Sequence, residues 1–585
     1  METNGGAIIG ERLAAHGVQN IFTLCGGHIS PILIGAKRAG IRIVDVRDEA
    51  SSVFAADATA RMTGVVGVAA VTAGPGVTNT ITAVKNAQMA QSPLIVLGGA
   101  TPTILMGRGS LQDIDQMELM RPLVKWAVSI RTVQSIAPTI DKAIEIATSG
   151  VPGPVFVEIP IDVLYPESLV HETFEKEAGL KNAEGLGAKA LKFYLDVHLK
   201  RQFHQPHIPL EIPKPDVSGA VGSMTRAGQL DRALAALEGA KRPALIVGSQ
   251  ALVNYTQEEA EGLADALRTL GIPVWLGGTA RGLLGPQSDI QFRHKRGLAI
   301  KKADVVLVMG FPFDFRLTYG RAINSKAKLI AANLSLRDLT KNRTPQIPIL
   351  AHPGKTLEAL AERFNGAGRW QEWIAECRKN EDARDAEIQA LGADVPEKGV
   401  NPIAFFQKME AAMADDSVLV VDGGDFVATG AYVVRPRSPL SWLDPGVFGT
   451  LGVGGGFVLG ATLARPKAET WLIYGDGSSA YSLAEVDTCV RHGLAPIMVI
   501  GTDASWAQIA REQVEILGDD VGTGLRFTDY HKVVEGYGGV GILVKDLSEV
   551  DAALAKAKAQ AKKGRPVCIN VHLAPSDFRK GSISM

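Results

Sequence analysis

Cysteine is scarce in this sequence. The four among 585 residues, Cys25, Cys377, Cys489 and Cys568, lie far apart and form no Cys-x-x-Cys spacing with one another or with histidine. That excludes a disulfide framework and a thiolate zinc site, and points to ordinary thiols in a reducing compartment. An excess of charge is lacking too, since 61 Lys and Arg stand against 62 Asp and Glu for a net charge of −1. This removes any general electrostatic case for nucleic acid or an anionic membrane as partner. No uninterrupted apolar run reaches the about 18 residues of a bilayer span. Residues 1–6 lead into an amphipathic helical pattern rather than a basic segment followed by an apolar core. The expectation is a soluble cytoplasmic protein. What is present is 46% hydrophobic and 21% charged residues with 63 glycines, the make-up of a globular, enzyme-like chain with many tight turns.

The length predicts several domains, and the segments resolve them to three. Residues 1–170 alternate helical stretches with runs such as 65–71 and 94–97, too continuously apolar for a half-exposed antiparallel sheet. They predict parallel strands covered by helices on both faces. Residues 171–216 turn polar and proline-rich and are read as a connector. A second α/β unit spans 217–368, with strands at 243–248 and 304–310 that each run into a glycine, as in nucleotide-binding sheets. The charged stretch 369–400 predicts a helical linker. A third unit covers 401–574, with strands at 418–421, 471–474 and 497–500, and 575–585 form a tail. The fold class is α/β, with three doubly wound parallel-sheet domains. The first and third share a plan, because Thr72-Ala73-Gly74-Pro75-Gly76 and Gly475-Asp476-Gly477-Ser478 each follow an apolar strand and open a helix. A duplicated scaffold whose halves bind one cofactor is the natural expectation.

The chemistry concentrates in the third unit. Gly475-Asp476-Gly477-Ser478 closes one strand, and Gly501-Thr502-Asp503-Ala504-Ser505 closes the next. Neighbouring parallel strands ending at one sheet edge would bring Asp476 and Asp503 to one hard cation, with glycine amides nearby for phosphate oxygens. A magnesium diphosphate site follows. On spacing alone, a helix N-cap at Asp476 and a turn acid at Asp503 satisfy the pattern equally.

These residues resemble the thiamine diphosphate motif of the acetohydroxyacid synthase, pyruvate decarboxylase and 2-hydroxyacyl-CoA lyase superfamily. That family usually has Asn at the second ligand position, where Asp503 stands here and adds a negative charge. The resemblance implies Asp476, Asp503 and the backbone carbonyl of Ser505 as magnesium ligands, and thiamine diphosphate as cofactor. It also implies that Glu49, in Val44-Asp45-Val46-Arg47-Asp48-Glu49, is the catalytic carboxylate that bonds the aminopyrimidine ring; taken alone, Glu49 reads as a surface helix-cap acid. Cys25-Gly26-Gly27-His28 and Gly74-Pro75-Gly76-Val77-Thr78-Asn79 match the pyrimidine and thiazolium side, which implies contacts from Gly27, Pro75 and Asn79. Asp422-Gly423-Gly424-Asp425 resembles a diphosphate-side loop with Gly424 and Asp425 in contact. Gly449-Thr450-Leu451-Gly452 matches the segment whose apolar residue, here Leu451 beside Gly449, wedges the cofactor into its bent form. Gly477 and Ser478 complete the cofactor set. The three domains become pyrimidine-binding, central nucleotide-binding-like and diphosphate-binding.

Longer strings are similar to the acetolactate-synthase-like branch identified as 2-hydroxyacyl-CoA lyases, among them Asp162-Val163-Leu164-Tyr165-Pro166, Asp444-Pro445-Gly446 and Thr528-Asp529-Tyr530-His531-Lys532. The resemblance implies cleavage of a CoA thioester to formyl-CoA and an aldehyde or ketone, reversible as a condensation. It further implies a homo-oligomer, a dimer of dimers, in which the first domain of one subunit faces the third domain of another. An acetolactate-synthase-like carboligase acting on pyruvate and other 2-oxo acids is the alternative. Glu512, on the helix after the second ligand loop, is the expected proton shuttle, with a solvated pair to Arg511 as the other reading. Gln112 corresponds to a side chain near the reacting carbon, and His28 is a donor to a developing oxyanion or a structural residue. Leu111 stands where acetolactate synthases usually carry Phe, implying a differently shaped acyl pocket. In the central domain, Arg281, Asp314 and Arg316 are the candidates for binding an adenine nucleotide or CoA phosphates. Relatives hold FAD, ADP or nothing there.

Overall fold

In a computed structural model that describes residues 4–180, 185–204 and 227–581, the strands assemble into three six-stranded sheets whose pairings are all parallel. The chain forms two compact units. One comprises Met1–Ala60 with Val65–Asp216, the other Arg61–Gly64 with Val217–Met585.

The first unit carries β1 (Asn20–Thr23), β2 (Arg42–Asp45), β3 (Gly67–Val71), β4 (Leu94–Ala100), β5 (Trp126–Ser129) and β6 (Pro154–Pro160), in the order β2-β1-β3-β4-β6-β5. Strands β3, β4 and β6 are buried along their whole length. Helices on both faces explain why these strands read as unbroken apolar runs and not as alternation. Ile9 and Leu13 of the helix Gly5–Ala15 and Ile140 and Ile144 of the helix Ile136–Thr148 pack in one core with Val68, Ile95 and Val157. Where a connector is expected over 171–216, the helices Glu167–Glu177 and Leu186–Phe203 stand instead. Val170, Phe174, Leu180, Leu195 and Leu199 close a small apolar cluster between them, enough to hold a helical pair. Residues 181–184 and 205–216 of that stretch lie outside the described residues.

The second unit carries two sheets. The central one has β7 (Pro243–Val247), β8 (Val274–Leu276), β9 (Gln291–Phe292), β10 (Val305–Met309), β11 (Lys328–Asn333) and β12 (Ile347–Leu350), ordered β12-β11-β10-β7-β8-β9. The last has β13 (Val418–Asp422), β14 (Trp442–Leu443), β15 (Thr470–Gly475), β16 (Ile497–Thr502), β17 (Val540–Val544) and β18 (Val567–His572), ordered β14-β13-β15-β16-β18-β17. Strand for strand, this is the order of the first sheet, so the common plan read from the two glycine turns is present in the topology.

The stretch 369–400 holds the helix Gln371–Gly392, which ties the two sheets of this unit together. Its Glu381 accepts the backbone N–H of Arg293 and of His294, and its Asp385 pairs with Arg293 at 3.0 Å and Arg435 at 3.2 Å. His294, Glu381 and Asp385 bring ligand atoms within 4.8 Å of one another. The two arginines match the acids' charge, so the cluster acts as an ion-pair joint and not as a cation site. In the tail, Phe578 packs at right angles to Tyr432 at 5.6 Å, with Arg384 over its ring at 5.3 Å; residues 582–585 lie outside the described residues. All four cysteines are unpaired. No helix among the described residues is long and apolar enough to cross a membrane.

Candidate active site

Open parallel sheets bind ligands outside the carboxyl ends of their strands, at the point where the strand order reverses. In the first sheet that point lies between β1 and β3, and in the last between β13 and β15. At both, the chain closes tightly enough to demand glycine. A Cβ on Gly26 would lie 2.3 Å from Cβ of Thr72, and one on Gly423, whose φ is +146°, would lie 2.8 Å from the backbone N of Gly475.

Around the first of these points the structure brings together most of the residues expected there. Glu49 opens the helix Glu49–Thr63 directly after β2 and is only 7% exposed. Asn79 Nδ2 donates to its Oε2 at 3.0 Å. Its Oε1 faces Gly76 of the short Pro75–Thr78 helix, 3.6 Å from where a Cβ would sit. His28 shares a hydrogen bond with Thr72 Oγ1 at 3.2 Å through Nδ1, and burial pushes its ring below the ordinary value, so it stands neutral at pH 7. Gln112 adopts a left-handed φ of +63°, with its backbone against Gly74. Leu111, expected to shape an acyl pocket, is 81% exposed in this unit. One residue that sequence reasoning missed organises this edge. Buried Gln116 accepts the N–H of Gly74 at 3.2 Å and donates to the carbonyl of Gly99 at 2.8 Å, tying the β3 turn to the end of β4.

Around the second point the two acids meet as expected. Gly475 of β15 pairs with Gly501 of β16, so the two strands end side by side. Asp476 opens the helix Asp476–Ser482; its Oδ1 accepts Gly477 N–H at 2.8 Å and its Oδ2 accepts Ala504 N–H at 2.9 Å. Asp503 accepts the N–H of Ser505 at 3.2 Å. Burial first, and then the charge of Asp503, push Asp476 up to about 7, and burial pushes Asp503 up to about 6. Two carboxylates destabilised by burial and by like charge nearby are what a divalent cation relieves. The donor set is hard oxygen, and Gly477 packs against the Trp506 ring with its N–H given to Asp476. The residues present therefore fit a magnesium diphosphate.

The remaining expected residues divide. Asp425, first residue of the helix Asp425–Val433, is held by both guanidinium nitrogens of Arg511, one at 2.9 Å. Ser478 commits its hydroxyl hydrogen to backbone oxygens, chiefly that of Asp422 at 2.6 Å, which leaves its lone pairs as acceptors only. Gly424 faces Gln508, while Gly449, with φ +67°, and half-buried Leu451 lie on the loop before the helix Val453–Ala464. Glu512 is half-buried on the helix Ala507–Leu517, where its charge adds to that of Asp425 in holding up Arg511. In the central domain, Arg281 stacks over Trp442 at 4.6 Å and donates to Ala431 O at 3.2 Å. Asp314 and Arg316 close on each other at 2.6 Å, with Arg316 stacked 4.2 Å over Phe311. Asp422, at the end of β13, is read from sequence only as the start of a diphosphate-side loop, with no role of its own.

A methyl group at Gly477 would meet the Trp506 ring at 2.4 Å. Gly477→Ala is expected to destabilise the third domain by about 1–3 kcal/mol, the usual cost of overpacking. Urea unfolding followed by tryptophan fluorescence checks this, and an unchanged midpoint would mean that the ring yields freely.

Three family models match the chain: the N-terminal TPP binding domain of thiamine pyrophosphate enzymes over residues 3–119, the central domain over 230–360 and the C-terminal TPP binding domain over 422–571. The chain belongs to the thiamine pyrophosphate enzyme family, thiamine pyrophosphate being another name for thiamine diphosphate. Within that class, proteins from Danio rerio and Homo sapiens, both named 2-hydroxyacyl-CoA lyase 2, are similar to it throughout. They are 47% and 46% identical, over 100% of this chain and 93% and 92% of their own lengths. Acetolactate synthase large subunit IlvG of Mycobacterium tuberculosis is 33% identical over 98% of this chain and 96% of its own.

Proposed function

We propose that this chain is a thiamine-diphosphate- and magnesium-dependent carbon–carbon lyase that cleaves 2-hydroxyacyl-CoA thioesters to formyl-CoA and an aldehyde or ketone, and can run the condensation in reverse. The observation that supports it most is full-length likeness, at 44–47% identity, to proteins from six animals that all bear the name 2-hydroxyacyl-CoA lyase 2. Buried Glu49 with its Asn79 partner in the first sheet, and the Asp476–Asp503 pair in a last sheet of the same topology, support the cofactor half of the reading.

Asp476, Asp503 and the carbonyl of Ser505 would hold the magnesium ion, and the loops carrying Gly424 and Gly477 would face the diphosphate. Thiamine diphosphate supplies the nucleophilic carbon and the electron sink when bound. Glu49 holds and returns a proton at its carboxyl, oriented by Asn79. Neutral His28 offers a hydrogen bond to substrate oxygen, with Gln112 as a further polar contact, and Glu512 moves the proton of the substrate hydroxyl. Four unpaired cysteines support a cytoplasmic location. The assembly is an oligomer of at least two copies.

The test is to incubate the purified protein with thiamine diphosphate, magnesium and short- and long-chain 2-hydroxyacyl-CoAs and to measure formyl-CoA by mass spectrometry, with Glu49→Gln as control. Formyl-CoA from the wild type alone is expected. No formyl-CoA from any chain length, together with 2-acetolactate from pyruvate, would replace this reading by that of a carboligase.

A further inference from the structure

Strand β13 is apolar for four residues and then ends in a carboxylate that solvent does not reach: Asp422 is 0% exposed. Its Oδ2 accepts the N–H of Gly454 at 2.8 Å and that of Gly452 at 3.1 Å, and its Oδ1 lies 3.3 Å from the same Gly452 nitrogen. Its backbone carbonyl accepts the Ser478 hydroxyl at 2.6 Å. One residue thus fastens two loops that the cofactor reading calls on, the one carrying Leu451 through its side chain and the one carrying Asp476 and Gly477 through its main chain.

The chemistry of the pairing accounts for aspartate at this position. The two donors are backbone amides at the start of the helix Val453–Ala464, where unsatisfied N–H groups and the helix dipole favour a negative charge. Both amides converge on Oδ2, with Oδ1 beside the Gly452 N–H; an amide would keep one acceptor but bring no charge and set its own NH2 against that N–H. Burial works against the charge and raises the group to about 7, while the Gly454 and Gly452 amides pull it back down. The fastened loop needs such a restraint. Gly449 and Gly452 hold φ at +67° and +90°, conformations that a short glycine segment leaves readily unless something fixes its ends.

We propose that Asp422 is a positioning residue, which holds the Leu451 loop in the conformation that bound thiamine diphosphate requires. The inference rests on the cofactor site proposed above, but on no choice of substrate. Asp422 itself touches neither cofactor nor substrate. Its effect passes through the Gly452 and Gly454 amides to Leu451, and through Ser478 to the diphosphate loop.

The test titrates Asp422→Asn with thiamine diphosphate and magnesium chloride, following tryptophan fluorescence and near-UV circular dichroism, with no acyl-CoA present. Losing the charge-assisted pairing is expected to raise the cofactor Kd about ten- to hundredfold. It should also remove the dichroic band of the bound cofactor and lower kcat about tenfold or more at saturating cofactor. Leu451→Ala should lose the same band, and the double variant should bind no more weakly than the worse single one, because both changes break one device. A variant that melts earlier but, once saturated, shows wild-type Kd, dichroism and kcat would reduce Asp422 to a stabilising residue and overturn the proposal. Hydrogen exchange on the cofactor-free wild type decides the matter without any variant. The Gly452 and Gly454 amides should be strongly protected, and exchange at the rate of an open loop would overturn it. Failure of the lyase reading shows separately, as intact cofactor binding without formyl-CoA.

Discussion

Asp476→Asn is expected to weaken binding of magnesium and thiamine diphosphate by about two to three orders of magnitude and to leave no measurable turnover at micromolar cofactor, with the fold intact. Asp476 and Asp503 end neighbouring strands; burial and then the charge of Asp503 raise Asp476 to about 7, and burial with the charge of Asp425 raises Asp503 to about 6. A divalent cation offsets that repulsion directly, whereas an amide brings no charge and sets its NH2 against the Gly477 or Ala504 N–H that now donates to the carboxylate. The same shift fixes the sign of a stability effect in metal-free protein. A carboxyl group whose folded-state value lies above its unfolded value binds more protons folded than unfolded, so it lowers stability as pH rises from about 4 to about 7. With EDTA present, Asp476→Asn should therefore match the wild type in Tm at pH 4 and exceed it at pH 8. Isothermal titration calorimetry and thermal scans at the two pH values check both halves. Affinity within threefold of wild type would take Asp476 out of the ligand set.

Strand positions and the shared plan of the first and last sheets were legible because strands buried on both faces write continuous apolar runs. The turns at Gly74 and Gly475 mark where those runs stop. Glu49, Asn79, Asp476 and Asp503 were legible because short motifs carry them next to strands whose ends the topology must bring together. Asp422 and Gln116 escaped for the opposite reason. Their partners are main-chain amides and carbonyls of distant turns, Gly452 and Gly454 for one, Gly74 and Gly99 for the other, and main-chain partners leave no trace in residue identity. Arg281 shows the converse. A cation in a glycine-flanked loop reads as a phosphate ligand, and the Trp442 ring beneath it, far along the chain, is not visible from that loop. The helices at Glu167–Glu177 and Leu186–Phe203 hid behind polar composition because five apolar side chains suffice for their shared cluster.

Glu49→Gln is expected to lower kcat about 10²- to 10⁴-fold, the usual range for losing a positioned acid–base group, while changing the cofactor Kd by less than about tenfold. The substitution is close to a pure loss of the exchangeable proton. Glutamine keeps the length of the side chain, and its carbonyl oxygen can take the hydrogen bond that Asn79 Nδ2 now gives at 3.0 Å. The space at Oε1, bounded by Gly76, accommodates an NH2 of nearly the same size. Packing, helix start and the Asn79 contact therefore survive, and what disappears is a group able to gain and lose a proton in a buried place. Asn79→Ala gives the contrasting result. It leaves the proton but frees the carboxyl to rotate, so kcat should fall by a smaller factor, about tenfold, and Glu49→Gln combined with Asn79→Ala should be little worse than Glu49→Gln alone. Steady-state formyl-CoA production, read beside cofactor titration for the three variants, separates the roles. A Glu49→Gln variant within threefold of wild-type kcat would return Glu49 to the helix-cap acid that it reads as when taken alone.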